Sequence, residues 1–268
     1  ATRGRGSGRP TSGAVAGAPP QLSGWRVLAV WAAAAVPMGL LSWVVAPAVA
    51  DRLDGPQPLA RALLVCLTAG LVWQGLLVAI LVRRELPRGG RSWRAVRESL
   101  WLVPPSRPSD AAAGRPRRGG AVWWWLVPFV LGFGAWTLVP SIPGSSPRDL
   151  GLFLESSAGA DFFSGAWGWF AVVVVLAVFN TVLGEELLFR GYLLPRMQVR
   201  FGRADWLVNG VLFAAYHLHT PWIIPSALSD AVFLAYPTRR FRSAWMGIAV
   251  HSTQSVVIVV AVLVAVLR

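Results

Sequence analysis

The chain has 268 residues, of which 55% are hydrophobic and only 14% are charged. Several apolar runs approach the twenty or so residues that cross a bilayer as a helix, which excludes an ordinary soluble domain. The formal net charge of +13 could suggest a nucleic-acid-binding protein, but every basic residue is an arginine, and most lie in short segments between apolar runs. That placement is typical of cytoplasmic loops beside anionic lipid, so we expect membrane lipid as a partner and no nucleic acid.

The amino-terminal residues 1–24 are rich in Gly, Ser, Ala, Pro and Arg and have no apolar period, which predicts a disordered cytoplasmic tail. The apolar runs that follow predict an all-α polytopic membrane protein with about seven transmembrane helices. The sixth run is short and bounded by prolines, so it need not cross the bilayer fully. The predicted spans are residues 27–48, 60–82, 121–140, 167–189, 205–220, 223–237 and 244–267.

The first span ends in the sequence APAVA, followed by Asp51, which has the small-residue pattern of a signal peptidase site after a basic tail. The preceding apolar run is longer than a usual signal core. We therefore favour an uncleaved first helix over a removed signal peptide.

The loop at residues 84–120 is strongly basic, and RSWRAVRESLWLV within it has the pattern of an amphipathic helix lying on the membrane surface. Arginines also concentrate in the tail and in the connections at 190–203 and 238–242, whereas the alternate connections are acidic, mixed or neutral. The positive-inside rule therefore predicts a multi-pass integral membrane protein with a cytoplasmic amino terminus. We expect it in a bacterial plasma membrane.

The stretch GEELLFRGYLL places two adjacent glutamates at the end of the fourth span. An ionisable group in hydrocarbon costs about 2.5–3.5 kcal/mol, so it usually has a partner or a task. On a helix Glu186 and Arg190 are four residues apart and can pair, whereas Glu185 points about 100° away. Alternatively, the pair only marks the membrane boundary, with Arg190 reaching cytoplasmic phosphates.

The three histidines all lie in the predicted fifth and seventh spans. His217 and His251 on separate helices, with Glu185 on a third, can hold and activate a water molecule. A carboxylate in a low-dielectric site becomes a useful base, and an imidazole can orient water or stabilise an oxyanion. His219 is expected on a different helix face from His217, as a packing or interfacial residue.

Two other polar residues, Asn180 and Asp230, could line the same cavity, although hydrogen bonding to a neighbouring helix is the commoner role for an asparagine. With the predicted span boundaries, Glu185 and His217 would lie at different depths in the membrane. Glu185 would lie about 6 Å above the inner end of span four, and His217 about 18 Å above that of span five. We therefore expect span four to continue helically to Pro195 and span five to start later than Ala204.

These residues resemble the CPBP intramembrane proteases, a family of CAAX prenyl endopeptidases and bacteriocin-processing enzymes that is also called Abi. The family pattern is Glu-Glu-x-x-x-Arg, then Phe-x-x-x-His, then His-x-x-x-Asn or Asp, on successive transmembrane helices. Here EELLFR and FAAYH match the first two motifs, while HSTQS matches the third only in part, with serine where the amide or carboxylate belongs. The matching residues are Glu185, Glu186, Arg190, Phe213, His217 and His251, with Ser255 at the divergent position.

The resemblance covers roughly residues 165–268 and implies that the last four helices form a catalytic core, preceded by N-terminal transmembrane helices at 25–164. It implies an intramembrane endopeptidase acting on a membrane-anchored or lipidated protein or peptide precursor. Glu185 would be the general base, His217 its partner in holding water, and His251 an oxyanion donor. Glu186 and Arg190 would be a supporting pair.

The donor that completes the oxyanion site is left open between Ser255 and Gln254, because both lie near the helix face of His251. No cofactor is expected. The alternative is a divalent metal, since Glu185, His217 and His251 could ligate zinc, whose catalytic sites keep three protein ligands and an open position.

Two other classes of function remain open. One is a non-catalytic membrane protein that kept the fold, such as a bacteriocin immunity factor or an assembly partner, and the serine at position 255 favours it. The other is a proton-coupled transporter, because intramembrane Glu and His also form proton relays. Against a transporter, the ionisable candidates all lie in the last third of the chain and no inverted repeat is visible.

Overall fold

The computed structural model describes residues 19–86, 88–107, 118–138, 142–144 and 147–268. Within these ranges the chain is helical, and its β pairing is limited to an isolated bridge between Ser106 and Arg118. The all-α fold is confirmed. Most of the predicted tail lies outside the described residues, as does part of the predicted basic loop at 108–117.

Five helices among the described residues are long and apolar enough to cross a membrane. They are α1 (Gly24–Ala50), α2 (Pro58–Glu85), α4 (Gly120–Thr137), α7 (Trp167–Arg196) and α12 (Ala244–Val266). Shorter helices connect them. These are α3 (Trp93–Ser99), α5 (Leu150–Glu155), α6 (Ser157–Phe163), α8 (Gln198–Phe201), α9 (Asp205–Tyr216), α10 (Ile224–Ala227) and α11 (Tyr236–Phe241).

The predicted fifth and sixth spans are helical, but neither is one continuous α-helix of the predicted length. In the fifth, α9 ends at Tyr216 and a 3₁₀ turn, His217–His219, follows. The sixth is divided into α10, a turn, a π-helical segment (Ala231–Ala235) and α11. Prolines at positions 221, 225 and 237 each lie in the first turn of one of the short helices between residues 221 and 241, where the missing amide donor is tolerated.

The inner end of α7 extends to Arg196, as the depth argument predicted. The start of α9 is not displaced, because Asp205 follows a 3₁₀ turn (Gly202–Ala204) directly. Arg196 fixes this end of α7. Its guanidinium donates to the Glu85 carboxylate of α2, with Nη2 2.6 Å from Oε2, and to the carbonyl oxygen of Ser99 in α3 at 3.0 Å.

Two glycines allow α2 and α7 to lie in close contact. A Cβ atom on Gly75 would lie 2.8 Å from the carbonyl oxygen of Leu183, and one on Gly184 would lie 2.9 Å from that of Leu71. Small residues at such positions let membrane helices approach backbone to backbone. Because Gln74 and Glu185 are the chain neighbours of these glycines, the contact brings both side chains to the same junction.

Several π-helical segments interrupt the helices of the bundle, and such segments frequently occur at functional sites. In the described part of the chain they are Leu41–Val45, Phe179–Leu183, Leu187–Leu193 and Ala231–Ala235. Two of them flank the pair of glutamates in α7. The glutamates therefore lie where the regular hydrogen-bond ladder of the helix is interrupted.

The π-helical segment of α1 holds the 3₁₀ turn that carries two of the histidines. The Ser42 hydroxyl donates to the carbonyl oxygen of His219 at 3.2 Å, and the Trp43 indole donates to that of Leu218 at 2.9 Å. The helix continues through APAVA to Ala50 without a break. These contacts make α1 part of the folded bundle.

The boundary of the predicted tail is wrong by a few residues. Gln21 donates from Nε2 to the carbonyl oxygen of Pro195 at 2.9 Å, and the backbone amide of Leu22 donates to the carbonyl oxygen of Arg196 at 2.9 Å. These bonds fix the chain just before α1. The predicted amphipathic helix is α3, capped by the Ser92 hydroxyl, and its Trp93 is 69% exposed. Such exposure of tryptophan is expected at a membrane interface.

Candidate active site

The first motif forms a fully buried ion pair inside the bundle. Glu186 Oε1 lies 3.0 Å from Arg190 Nη1, and both side chains are 0% exposed. The guanidinium lies over the ring of Phe213, with Cζ 4.0 Å from the ring centroid. A desolvated cation over an aromatic face gains about 2 kcal/mol. The alternative in which Arg190 reaches cytoplasmic phosphates is therefore wrong.

The second glutamate also holds a histidine. His251 Nδ1 lies 3.1 Å from Glu186 Oε1, and the His251 side chain is 7% exposed. An Nδ1–H that donates to a carboxylate fixes the ring orientation and leaves Nε2 for another partner. His251 is thus paired with Glu186, and not with Glu185.

The second motif places His217 at the end of α9. Its Nδ1 lies 2.9 Å from the carbonyl oxygen of Phe213, so this nitrogen carries the proton and Nε2 keeps its lone pair. No described residue hydrogen-bonds that Nε2. The backbone of His217 has ψ of +27°, which ends the α-helix at this position.

The position of His219 differs from the expectation. Its ring is stacked near that of His217, with centroids 5.4 Å apart and planes at 29°. The backbone leaves the α-helical conformation at His217, with ψ of +27°, so the α-helical spacing that placed the two rings on different faces does not apply here. His219 is buried, and its Nδ1 has no hydrogen-bond partner among the described residues.

Glu185 is 2% exposed and has a different set of neighbours from Glu186. With its amide nitrogen toward the carboxylate, Asn180 Nδ2 donates to Oε1 and Oε2, each at 3.2 Å. The Tyr216 hydroxyl lies near the same carboxylate. That hydroxyl accepts a hydrogen bond of 2.6 Å from Gln74 Nε2 of α2.

Sequence reasoning proposed Asn180 for the cavity but missed Gln74 and Tyr216. Gln74 carried a signal, because it is an amide within an otherwise apolar run, LVWQGLLV. Tyr216 had no comparable signal, since an aromatic residue before a histidine is ordinary packing material. Both are 0% exposed, so both belong to the interior of the bundle.

The predicted catalytic residues lie in one buried cluster that aromatic rings connect. The ring of Phe213 is 4.8 Å from that of His217 and 6.1 Å from that of His251, centroid to centroid. The ring of Tyr216, beside Glu185, lies 5.1 Å from that of His217. Within the described residues no direct hydrogen bond joins any two of the three predicted catalytic side chains.

A comparison with protein families identifies the part of the chain that carries this cluster. Residues 167–257 match the model of the Rce1-like family, described as type II CAAX prenyl endopeptidase Rce1-like. We refer to residues 167–257 as the Rce1-like region. This region includes every motif residue from Glu185 to Ser255, and the long apolar helices make the protein an integral membrane protein. Comparisons with curated proteins and with solved structures give no match.

The Rce1-like region does not present the alternative zinc site. Among the described residues, no three side chains of His, Cys, Asp or Glu are grouped closely enough to hold a metal ion. His251 and His217 each hold Nδ1 on a partner and keep Nε2 free, as metal-ligating histidines also do, so only the spacing of the side chains speaks against the site. The residues as placed do not fit the three-ligand arrangement of a catalytic zinc.

The third motif of the Rce1-like region contains both candidate donors to the oxyanion, and the structure places them on different sides of α12. Ser255, one helical turn after His251, is buried, whereas Gln254 is exposed. The structure therefore places Ser255 on the inner side of α12 and does not bring Gln254 to the cluster. Asp230 is also buried and lies within electrostatic range of His251, Arg190 and Glu186.

Proposed function

We propose that this protein is an intramembrane endopeptidase that hydrolyses a peptide bond in a membrane-anchored or lipidated protein or peptide precursor. One observation carries the proposal. The adjacent glutamates have different partners: Glu186 contacts Arg190 and His251, whereas Glu185 contacts the neutral groups of Asn180 and Tyr216. Two carboxylates in contrasting environments are typical of a site that divides basic and structural roles between them.

Glu185 acts as the general base in the proposed reaction. Its carboxylate takes a proton from a water molecule, and the water oxygen forms a bond to the carbonyl carbon of the peptide. Glu185 then gives the proton to the amide nitrogen as the carbon–nitrogen bond breaks. The products are a carboxylic acid, which contains the oxygen of the water, and an amine.

The two histidines have separate proposed roles. The free Nε2 lone pair of His217 accepts the second hydrogen of the water and orients it. His251 donates from Nε2 to the oxyanion in its imidazolium form, because the Glu186 carboxylate, 3.1 Å from Nδ1, stabilises the positive charge. Ser255, on the buried side of α12, is the proposed second donor to the oxyanion.

The non-catalytic alternative, an immunity factor or assembly partner with the same fold, is favoured by one observation. Ser255, which is buried, replaces the asparagine or aspartate that the resemblance expects. A protein of this kind would bind a membrane-anchored peptide without cleaving it. Binding and cleavage can therefore be measured in the same experiment.

The test uses the purified full-length protein in liposomes with a panel of membrane-anchored peptides. The panel contains a prenylated peptide, the same peptide without its lipid, and a transmembrane peptide, and mass spectrometry identifies the products. We expect the wild type to cleave at least one anchored peptide and Glu185→Gln to cleave none. Binding of the anchored peptides without cleavage would support the non-catalytic alternative, and proton flux across the liposome membrane would support a transporter.

A further inference from the structure

Gln74 is a polar side chain in the middle of α2, the second membrane-spanning helix, and it is 0% exposed. Burying an amide without hydrogen bonds costs about 1–3 kcal/mol. Nε2 meets this cost through its bond of 2.6 Å to the Tyr216 hydroxyl, while Oε1 has no partner among the described residues. A leucine at this position would avoid the unpaired acceptor, so packing alone does not explain the glutamine.

The chemistry of the two groups determines the direction of the hydrogen bonds. An amide nitrogen only donates, so the phenolic oxygen of Tyr216 is the acceptor in its bond to Gln74. The hydroxyl proton of Tyr216 must then be given to another group. The nearby Glu185 carboxylate is an acceptor when it is ionised. The chain of donation therefore runs from Gln74 to Tyr216 to Glu185.

The packing of the helices keeps this chain in place. Gly75 and Gly184 let the backbones of α2 and α7 meet, and the two ends of the chain, Gln74 and Glu185, are the neighbours of these glycines. Tyr216 is contributed by α9 and is also 0% exposed. Three helices thus bring Gln74, Tyr216 and Glu185 together in a part of the bundle that solvent scarcely reaches.

We propose that Gln74, which lies outside the Rce1-like region, is a positioning residue that orients the Glu185 carboxylate through the Tyr216 hydroxyl. This inference rests on the proposed function of Glu185 as a base. Gln74 is fully buried and acts only through Tyr216, so it makes no contact with substrate. The N-terminal helices, which carry no family motif, then contribute directly to the geometry of the base.

The kinetic test compares Gln74→Met, Tyr216→Phe and the double variant on a peptide that the wild type cleaves. Gln74→Met removes one hydrogen bond, Tyr216→Phe removes both bonds of the hydroxyl, and each conserves the shape of the side chain. We expect kcat to fall about three- to tenfold for Gln74→Met and about ten- to a hundredfold for Tyr216→Phe, with KM unchanged. Because both residues act through one series of hydrogen bonds, adding Gln74→Met to Tyr216→Phe should cause no further fall in kcat.

The matched control is Thr68→Val, which removes another polar group of α2 whose hydroxyl bonds only the Leu64 carbonyl of its own helix at 2.6 Å. We expect its kcat to equal that of the wild type. A fall in kcat for Gln74→Met that is equally large in the Tyr216→Phe background would contradict the proposal. So would an unchanged kcat for Gln74→Met in an enzyme that Glu185→Gln inactivates.

A spectroscopic test separates this inference from the proposed function, since it needs no substrate. The chain has only three tyrosines, so protein labelled with ¹³C at the tyrosine Cζ gives three resolvable signals, and Tyr216→Phe assigns one of them. We expect Gln74→Met and Glu185→Gln each to shift the Tyr216 signal, whereas Thr68→Val leaves it in place. An unshifted signal in Gln74→Met or in Glu185→Gln would overturn the hydrogen-bonded chain, whatever the activity of the protein.

Discussion

Replacing Glu186 by glutamine should strongly destabilise the protein, because this carboxylate contacts two buried groups. Its loss leaves the Arg190 guanidinium, which is 0% exposed, without its salt-bridge partner. The face of Phe213 remains as a partner of the cation and contributes about 2 kcal/mol. Removing one member of a buried ion pair costs about 3–5 kcal/mol, and we expect a loss of this size.

The matched control is the exposed pair between Arg94 and Glu98 of α3, which has the same i, i+4 spacing and a similar distance of 2.9 Å. We expect Glu98→Gln to leave the unfolding midpoint unchanged, because its partner Arg94 has a side chain that is 87% exposed and solvent screens the pair. The double variant Glu186→Gln/Arg190→Met should be more stable than Glu186→Gln alone, since it no longer buries an unpaired charge.

The assay is thermal unfolding in detergent, followed by the fluorescence of the fifteen tryptophans. For a chain near this size, about 1 kcal/mol corresponds to roughly 2–4 °C, so Glu186→Gln should lower the midpoint by about 6–20 °C. A midpoint for Glu186→Gln equal to that of Glu98→Gln would refute the reasoning. It would mean that Arg190 is not held by this carboxylate.

Three further predictions concern the same cluster. Gly247→Ala would place a Cβ atom 2.7 Å from Glu186 Oε2 and 2.8 Å from Thr238 Oγ1, so it should lower the free energy of unfolding by about 1–3 kcal/mol. The control Gly134→Ala, whose Cβ would have nothing within 4 Å, should stabilise α4 slightly. Equal thermal unfolding midpoints of the two variants would contradict this prediction. Ser255→Ala should lower kcat by about 10²–10³-fold, because it removes the hydroxyl that stabilises the oxyanion. Gln254→Ala, on the exposed side of α12, should lower kcat by less than about twofold. The reverse order would assign the oxyanion donor to Gln254. Chelator treatment should leave kcat unchanged, and loss of activity that zinc restores would show that the site gathers metal ligands on binding substrate.

The sequence predicted the fold class and the motif residues because both depend on local patterns. Apolar runs near twenty residues report membrane helices directly, and the spacing of Glu186 and Arg190 is enough to predict their pairing. The structure contains that pair at 3.0 Å. Such features need no knowledge of how distant segments pack.

The partners of the site residues could not be predicted, because they depend on contacts between helices. His251 pairs with Glu186, a choice that the relative rotation of α7 and α12 decides. The stacking of His219 on His217 required knowledge that α9 changes to a 3₁₀ turn. Gln74 reaches Tyr216 only because two glycines let α2 and α7 meet, and a pattern in one segment does not show where another segment crosses it.

The most direct test of the central claim is the rate of peptide cleavage by Glu185→Gln in liposomes, beside the matched change Glu155→Gln at an exposed position of α5. Removal of a general base should lower kcat by about 10²–10⁴-fold, while Glu155→Gln should leave it unchanged. The unfolding midpoints of both variants, measured in parallel, show whether the fold is kept. Full cleavage activity in a folded Glu185→Gln variant would contradict the account, because the reaction would then not use Glu185 as its general base.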